Sequence, residues 1–378
     1  MKRISIITLL TVVSIIFSSC YNEKIKEVNI GFIAPLSKRA TDLGLGPANA
    51  MALAVEEYNT SKPSDAPVVN LFFEDDQWNN ELAESKYQKL RNEHDIDLLF
   101  ISNTGGTVAL QDEILKDNII TINPLNSDEL LSSLNENTFK IAKSTEAANE
   151  LIAIRIIELG LENVYIMHYP NDFMNRATKA VQEHLDIANT HYKIVETHND
   201  QVDFEKELNE AKAMNAEAIV FFGYKEYGFA MNQAREMGID AQFFGSTVLM
   251  DSEFYDNSEG AIKGTEFCFF TPADGNYFLA KEFLENYEHN YNEQPESIWP
   301  PMQAYDAMNI VLQQLRDVNS SRNKQQHLSD WLKLRLHQVR FHQGVCGNLS
   351  ITSDGSSRGI YFTMYEYVEK GNAQKIKR

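Results

Sequence analysis

An α/β fold with parallel sheets is the class this sequence predicts, and three observations predict it. Short runs rich in Val, Ile and Phe alternate with longer stretches of helical period. Those short runs are apolar at consecutive positions, as strands covered on both faces are. At 378 residues the chain exceeds the ~150 residues usual for one domain, so two lobes, each burying its own core, are expected.

Taken in order, strands are expected at 28–33, 69–73, 98–101, 119–122, 164–168, 218–222 and 242–245. Between them, apolar residues three and four apart place helices at 47–58, 81–93, 108–116, 146–159 and 229–237. The rhythm changes at 277–315, which is mostly helical and carries Pro300-Pro301 where a helix should start. The tail changes again: 348–352, a polar turn at Asp354-Gly355-Ser356-Ser357, and 360–368 read as a β-hairpin. Similar βα runs before and after about Lys143 suggest two equivalent lobes.

The N-terminus sets the compartment. Met1-Lys2-Arg3 is a short basic region, and 4–17 is an apolar run too short for a comfortable membrane span, so 1–19 reads as a signal peptide. Phe17-Ser18-Ser19-Cys20 resembles the bacterial lipobox, whose cysteine is acylated and becomes the first mature residue. Several acyl chains, at ~0.8 kcal/mol per buried methylene, make a durable anchor. Residues 20–27 would form a polar tether. The protein is expected to be exported and lipid-anchored to a bacterial membrane, facing the periplasm or cell exterior, as a monomer. A formal charge of −20 argues against a nucleic-acid partner. Apart from Cys20 there are only Cys268 and Cys346, which either pair in an oxidising compartment or remain buried thiols.

Catalytic and metal motifs are weak. Gly355-Ser356-Ser357-Arg358-Gly359 fits G-x-S-x-G, but that elbow needs a strand-to-helix turn, and here a polar turn leads to another strand. The nine histidines form neither H-x-x-x-H nor H-E-x-x-H. Glu74-Asp75-Asp76 point alternately to opposite faces of a strand end and would not converge on a cation. Gly44-Leu45-Gly46 lacks the third glycine of a dinucleotide fingerprint. No enzyme activity, metal or cofactor is expected.

Ser102-Asn103-Thr104-Gly105-Gly106-Thr107 lies between the strand 98–101 and a helix expected to begin near Val108. In open α/β sheets ligands sit beyond the carboxyl ends of strands. Two glycines would let a ligand approach backbone N–H groups, and the helix N-terminus would favour a carboxylate.

The order and spacing of several further blocks carry a resemblance. They are Ile30-Gly31-Phe32-Ile33-Ala34-Pro35-Leu36-Ser37, Ala54-Val55-Glu56-Glu57-Tyr58-Asn59, Glu74-Asp75-Asp76 and Asn123-Pro124-Leu125-Asn126-Ser127. Later come Gln233-Ala234-Arg235-Glu236-Met237-Gly238, Ala304-Tyr305-Asp306-Ala307 and Gly344-Val345-Cys346-Gly347-Asn348-Leu349-Ser350. Together they resemble the type I periplasmic binding proteins, specifically the branched-chain amino-acid group, over nearly the whole mature chain.

The resemblance implies two Rossmann-like lobes joined by a three-strand hinge, with crossovers near Thr145, Phe270 and Val345. Lobe 1 would be 28–144 plus 271–344, and lobe 2 would be 145–270 plus 345–378. Cys268 and Cys346 would then fall close to hinge strands, where a disulfide is geometrically allowed. Ligand would be caught by cleft closure and handed to an ABC permease. By position, Thr104, with Gly105 and Gly106, matches the carboxylate-binding serine loop. Asn126 or Ser127 matches the second-loop hydroxyl, and Leu125 a backbone contact. Tyr224 keeps one closing aromatic and Phe173 replaces the other. Leu43 stands where the family has a first-loop aromatic, and Trp78 could supply that ring.

The amine-side acid is lost. Thr247 stands in the Ser246-Thr247-Val248 stretch where the family carries an acid, and Thr145 at a second acidic position. Either Glu146 or Asp251 has taken over, or the ligand is not an α-amino acid, because an unpaired buried ammonium is costly. The expected function is capture of an amino acid or similar small carboxylate for import. The alternative is a ligand-sensing or envelope-assembly lipoprotein on the same fold.

Overall fold

The computed structural model describes residues 24–376 apart from Arg39, Ser127, Asp128, Ser133, residues 143–144, Asn199 and residues 271–276. The expected signal peptide, Cys20 and Ser127 lie outside the described residues, as do the side chains of Thr145 and Phe270. Among the described residues no helix is long and apolar enough to cross a membrane.

Two compact units divide the chain: Met1–Ala142 with Glu282–Gly359, and Lys143–Lys281 with Ile360–Arg378. The first unit begins with β1 (Glu27–Ala34), β2 (Val68–Asp75), β3 (Leu98–Ile101), β4 (Ile120–Asn123) and β5 (Thr138–Lys140). These form a sheet in the order β2-β1-β3-β4-β5, with parallel register throughout. The second unit follows with β6 (Asn163–His168), β7 (His191–Glu196), β8 (Ala218–Phe222), β9 (Gln242–Gly245) and β10 (Glu266–Phe270). The chain returns to the first unit for a small sheet of β11 (His342–Gly344), β12 (Gly347–Ile351) and β13 (Ser357–Ile360). It ends in the second unit with β14 (Phe362–Glu369) and β15 (Asn372–Lys375), giving a sheet ordered β15-β14-β10-β9-β8-β6-β7.

Burial explains why the strands were legible as continuous apolar runs. Every residue of β3, β4 and β8 is buried. In the second unit Tyr165, Met167, Phe221 and Phe243 pack into one core, while Val164, Ile166, Val220 and Phe244 pack into another. Alternate residues of one strand thus feed cores on the two sheet faces, which is how a helix-covered parallel sheet is built. The first unit repeats the pattern with Ile33, Leu99 and Ile101 against Tyr87, Leu90 and Ile114.

Several expectations need correction. The exchanges after Lys281 and Gly359 fall later than the anticipated crossovers near Phe270 and Val345. Within the helix Phe278–Tyr291, Phe283 packs on Tyr305 at 4.8 Å, Tyr287 accepts from Asn49 Nδ2 and Tyr291 donates to the Asn49 carbonyl, all in the first unit. The backbone N–H groups of Val345 and Cys346 donate to the Asp306 carboxylate at 2.7 and 2.8 Å, holding that stretch to the same unit. Cys268 and Cys346 are not bridged: both are buried thiols, the first on β10 in the second unit and the second beside Asp306 in the first. The tail hairpin also forms differently. The turn at 354–357 connects β12 to β13, whereas the expected second arm becomes β14, which pairs antiparallel with β10. The helix expected at 108–116 is two helices, Thr104–Ala109 and Gln111–Lys116.

Candidate functional site

Strand order locates the site within each unit. The order β2-β1-β3-β4-β5 reverses direction between β1 and β3, and its counterpart β7-β6-β8-β9-β10 reverses between β6 and β8. Ligands of open parallel sheets bind outside the carboxyl ends of the strands at such a switch point. In the first unit this edge carries the exits of β1, β2, β3 and β4; in the second it carries the exits of β6, β8 and β9.

At the first unit's edge, three carboxylates fix the loops. Glu74 pairs with Lys86 at 3.1 Å and Lys89 at 2.6 Å. Asp75 accepts from the Leu36 and Gln77 N–H groups, each at 2.9 Å, and from the Ser37 hydroxyl at 2.5 Å. Partial burial pushes its carboxyl upward, but the Ser37, Gln77 and Leu36 donors outweigh that and hold it below its ordinary pKa. Asp76 is fully buried; its Oδ1 accepts from the Trp78 N–H at 2.9 Å while Oδ2 has no partner. Burial raises its pKa against the opposing pull of the Trp78 N–H and the nearby Asn103 side chain.

Asn103 changes the reading of the glycine loop. The helix begins at Thr104, and the Asn103 side chain caps it by accepting from the Gly105 and Gly106 N–H groups at 3.0 and 3.3 Å. Those two N–H groups therefore serve the chain itself rather than an anion. A Cβ at Gly105 would lie 2.0 Å from the Asn80 amide, which would have to move aside. What the loop presents is the Thr104 hydroxyl, which accepts from Asn126 Nδ2 at 2.6 Å and keeps its proton to donate. Asn123 positions that partner: its Oδ1 accepts from the Asn126 and Leu125 N–H groups at 2.9 and 3.1 Å. Leu125 is buried, and Leu43 sits half-buried in the short helix Thr41–Leu43.

The second unit's edge is aromatic. Tyr224, after β8, is 43% exposed and meets Tyr169, after β6, edge-on at 5.9 Å. Its hydroxyl accepts from Asn171 Nδ2 at 3.0 Å, and the Asn171 Oδ1 caps the helix Asp172–Ala188. Phe173, half-buried, packs on the core beneath. Thr247 opens the short helix Thr247–Met250, which Ser246 caps.

Neither acid considered for an ammonium stands unengaged. Glu146 pairs with Arg176 at 3.0 Å, and Asp251 accepts from the Glu253 N–H to cap the helix Ser252–Ser258. Sequence reasoning missed Glu226, two residues beyond Tyr224, which is half-buried with no ion pair among the described residues. It also missed Asn103 and Asn171. A capping residue directly after a strand and before a helix was the signal that could have found them.

A family model described as periplasmic binding protein matches residues 27–358. No curated protein sequence matches. Among solved structures, a leucine binding protein from Thermotoga maritima superposes with TM-score 0.76 at 17% identity, covering 93% of this chain and 98% of that one. The substrate binding protein LivJ from Streptococcus pneumoniae, solved with isoleucine, gives 0.73 at 22%, covering 93% and 100%. A solute binding protein from R. palustris, solved with benzoate, gives 0.74 at 15%, covering 93% and 95%.

Proposed function

We propose, from the premise that the chain belongs to the periplasmic binding protein family, that it is an exported, lipid-anchored receptor that captures a small carboxylate or amino acid for an ABC importer without transforming it. The observation that carries this reading is the paired placement of polar and aromatic groups at the two switch points: Thr104 with Asn126 in one unit, Tyr224 with Asn171 in the other. The Thr104 hydroxyl would donate to the ligand carboxylate, with Ser127, next to Asn126 in sequence, as a second hydroxyl. In the second unit, Tyr224 and Tyr169 offer aromatic faces suited to an apolar group. Solved relatives of the same fold hold isoleucine and benzoate, which makes both natural probes.

Ligand that binds only the folded state raises its stability, by about 2.7 kcal/mol at a hundredfold excess over Kd. A thermal-shift screen with amino acids, small carboxylates and short peptides should therefore find at least one stabilising compound. Thr104→Val should weaken its binding about tenfold while changing the unliganded melting temperature little. A screen in which nothing shifts the transition would sink the capture reading.

The anchor has its own test. Cys20→Ser should move the protein from the membrane to the soluble fraction and abolish labelling by a radioactive fatty acid. Unchanged labelling would remove Cys20 as the acylated residue.

A further inference from the structure

The outer strands of the two sheets are protected unequally. Strand β5 is three residues long and buried throughout. Strand β7 carries Lys193, paired with Glu210, near its middle, and β15 is short, largely polar and shifts register against β14. Short length, charge and irregular register are the usual means of keeping a sheet edge from pairing with another chain. Strand β2 has none of them. It runs for eight residues, Val68-Val69-Asn70-Leu71-Phe72-Phe73-Glu74-Asp75, in unbroken register with β1, without proline, and only its last two residues are charged.

The hydrogen bonds of this edge are sorted by parity. The Val68 N–H donates to the Lys26 carbonyl and the Asp76 N–H to the Ala34 carbonyl, so even-numbered residues bond β1 and odd-numbered ones turn their backbone groups outward. Val69 is closed off: Asn59, near the end of the helix Leu45–Ser61, accepts from its N–H at 3.0 Å and donates to its carbonyl at 2.8 Å. Leu71 and Phe73 have no such clamp, and among the described residues their outward N–H and C=O groups have no partner. Leu71 is half-buried and Phe73 is 39% exposed. Phe72, on the other face, stacks on His94 at 3.9 Å.

An open stretch bounded by a clamp fits one partner closely, the same stretch of a second copy running antiparallel about a two-fold axis at Phe72. Leu71 then exchanges both backbone bonds with Phe73 of the copy, and Phe73 does the same with the copy's Leu71. This register sets Phe72 against Phe72, and Asn70 against a Glu74 whose charge Lys86 and Lys89 already balance. Centring on Phe73 would instead oppose Leu71 to Asp75 and Phe72 to Glu74, apolar groups to acids. Centring on Leu71 would oppose Phe73 to Val69, whose backbone groups Asn59 holds. We infer that β2 is a self-association edge, joining two copies of this chain through an antiparallel β2–β2 pair centred on Phe72, in place of the monomer expected from the sequence.

The register makes the test specific. Opposite itself at a non-hydrogen-bonded position, residue 72 would have Cα atoms about 4.5 Å apart, within the range a disulfide spans. Phe72→Cys, expressed as the full chain in cells and mildly oxidised, should give a reducible species of twice the mass on a gel. Val68→Cys, on the same strand, should not. Purified wild type in detergent should pass from monomer to dimer in sedimentation equilibrium as its concentration rises toward about 1 mM, as a small, transient interface does. Leu71→Pro removes an outward N–H while leaving the bonds to β1, and Phe73→Lys puts a charge on the edge. Each should weaken the dimer at least about tenfold and, at dilute concentration, melt close to wild type; if Leu71→Pro melts lower, Phe73→Lys decides. Absence of the Phe72→Cys cross-link, or wild type that stays monomeric at the highest concentration, overturns the inference. So does a dimer undiminished in Phe73→Lys, an assembly larger than two, or a Phe72→Cys cross-link to a different protein.

Discussion

Asp306→Ala is expected to lower the unfolding free energy by about 3–5 kcal/mol, the cost of stranding two buried N–H donors. Asp306 lies on the helix Trp299–Leu315, is buried, and receives the N–H groups of Val345 and Cys346. Gly344 precedes them because a Cβ there would lie 2.4 Å from the same carboxylate. Asp306→Asn keeps one acceptor oxygen and should cost less, so urea unfolding of both variants ranks the hydrogen bonds directly. The two also separate the charge. Burial raises the Asp306 pKa to about 7, against the opposing Cys346 and Val345 N–H groups. A carboxyl whose folded pKa is raised binds its proton more tightly when folded, so its contribution to stability declines as pH rises from about 4 to about 7. Wild type should therefore lose ground to Asp306→Asn across that interval. Parallel pH profiles for the two proteins would refute the shift.

The second large effect concerns Lys140. This side chain on β5 is fully buried and reaches Asp354 at 3.3 Å, while the Lys140 N–H donates to the Gly355 carbonyl. Burial alone pushes the Asp354 carboxyl up, but the Thr352 and Ser356 hydroxyls and the Lys140 ammonium hold it well below the usual carboxylate range. Asp354→Ala removes the counter-charge from a buried cation and the anchor of a turn, and should cost about 2–4 kcal/mol, reduced from a fully buried pair because Asp354 is half exposed. Lys140→Met in that background should recover part of the loss, since an apolar chain of similar length needs no counter-charge. The sign with pH follows from the depressed pKa. The contribution of Asp354 is fully present above the ordinary carboxylate range and disappears as pH falls through its lower folded value. Equal acid denaturation midpoints for wild type and Asp354→Ala would contradict this assignment.

These two contacts show where sequence reading stops. Strands β3 and β8 were legible because parallel strands buried on both faces need apolar side chains at every position. Strand β7 was not: His191-Tyr192-Lys193-Ile194-Val195-Glu196 lies at a sheet edge, half in solvent, and its apolar residues are interrupted. Three-residue β5 is too short to carry a pattern, and Lys140 within it argues against burial until its partner, 214 residues away, is known. The tail failed for a similar reason, since the alternation of 360–368 says strand but not that its partner is β10. At the site, the strand end and its glycines pointed to the loop 102–107, while Thr104, Asn126 and Tyr224 were singled out by the family resemblance. An asparagine cap engages the N–H groups of Gly105 and Gly106, which composition alone leaves available. Trp78 was visible as a residue, but its backbone conformation was not.

The position of β14 between β10 and β15 has a consequence for how the protein is made. The second sheet closes only when residues 362–375 are present, and until then β10 offers an open row of backbone donors and acceptors. Completing this sheet therefore depends on pairing β10 with strands far along the chain, a long-range step that low contact order elsewhere in the unit does not supply.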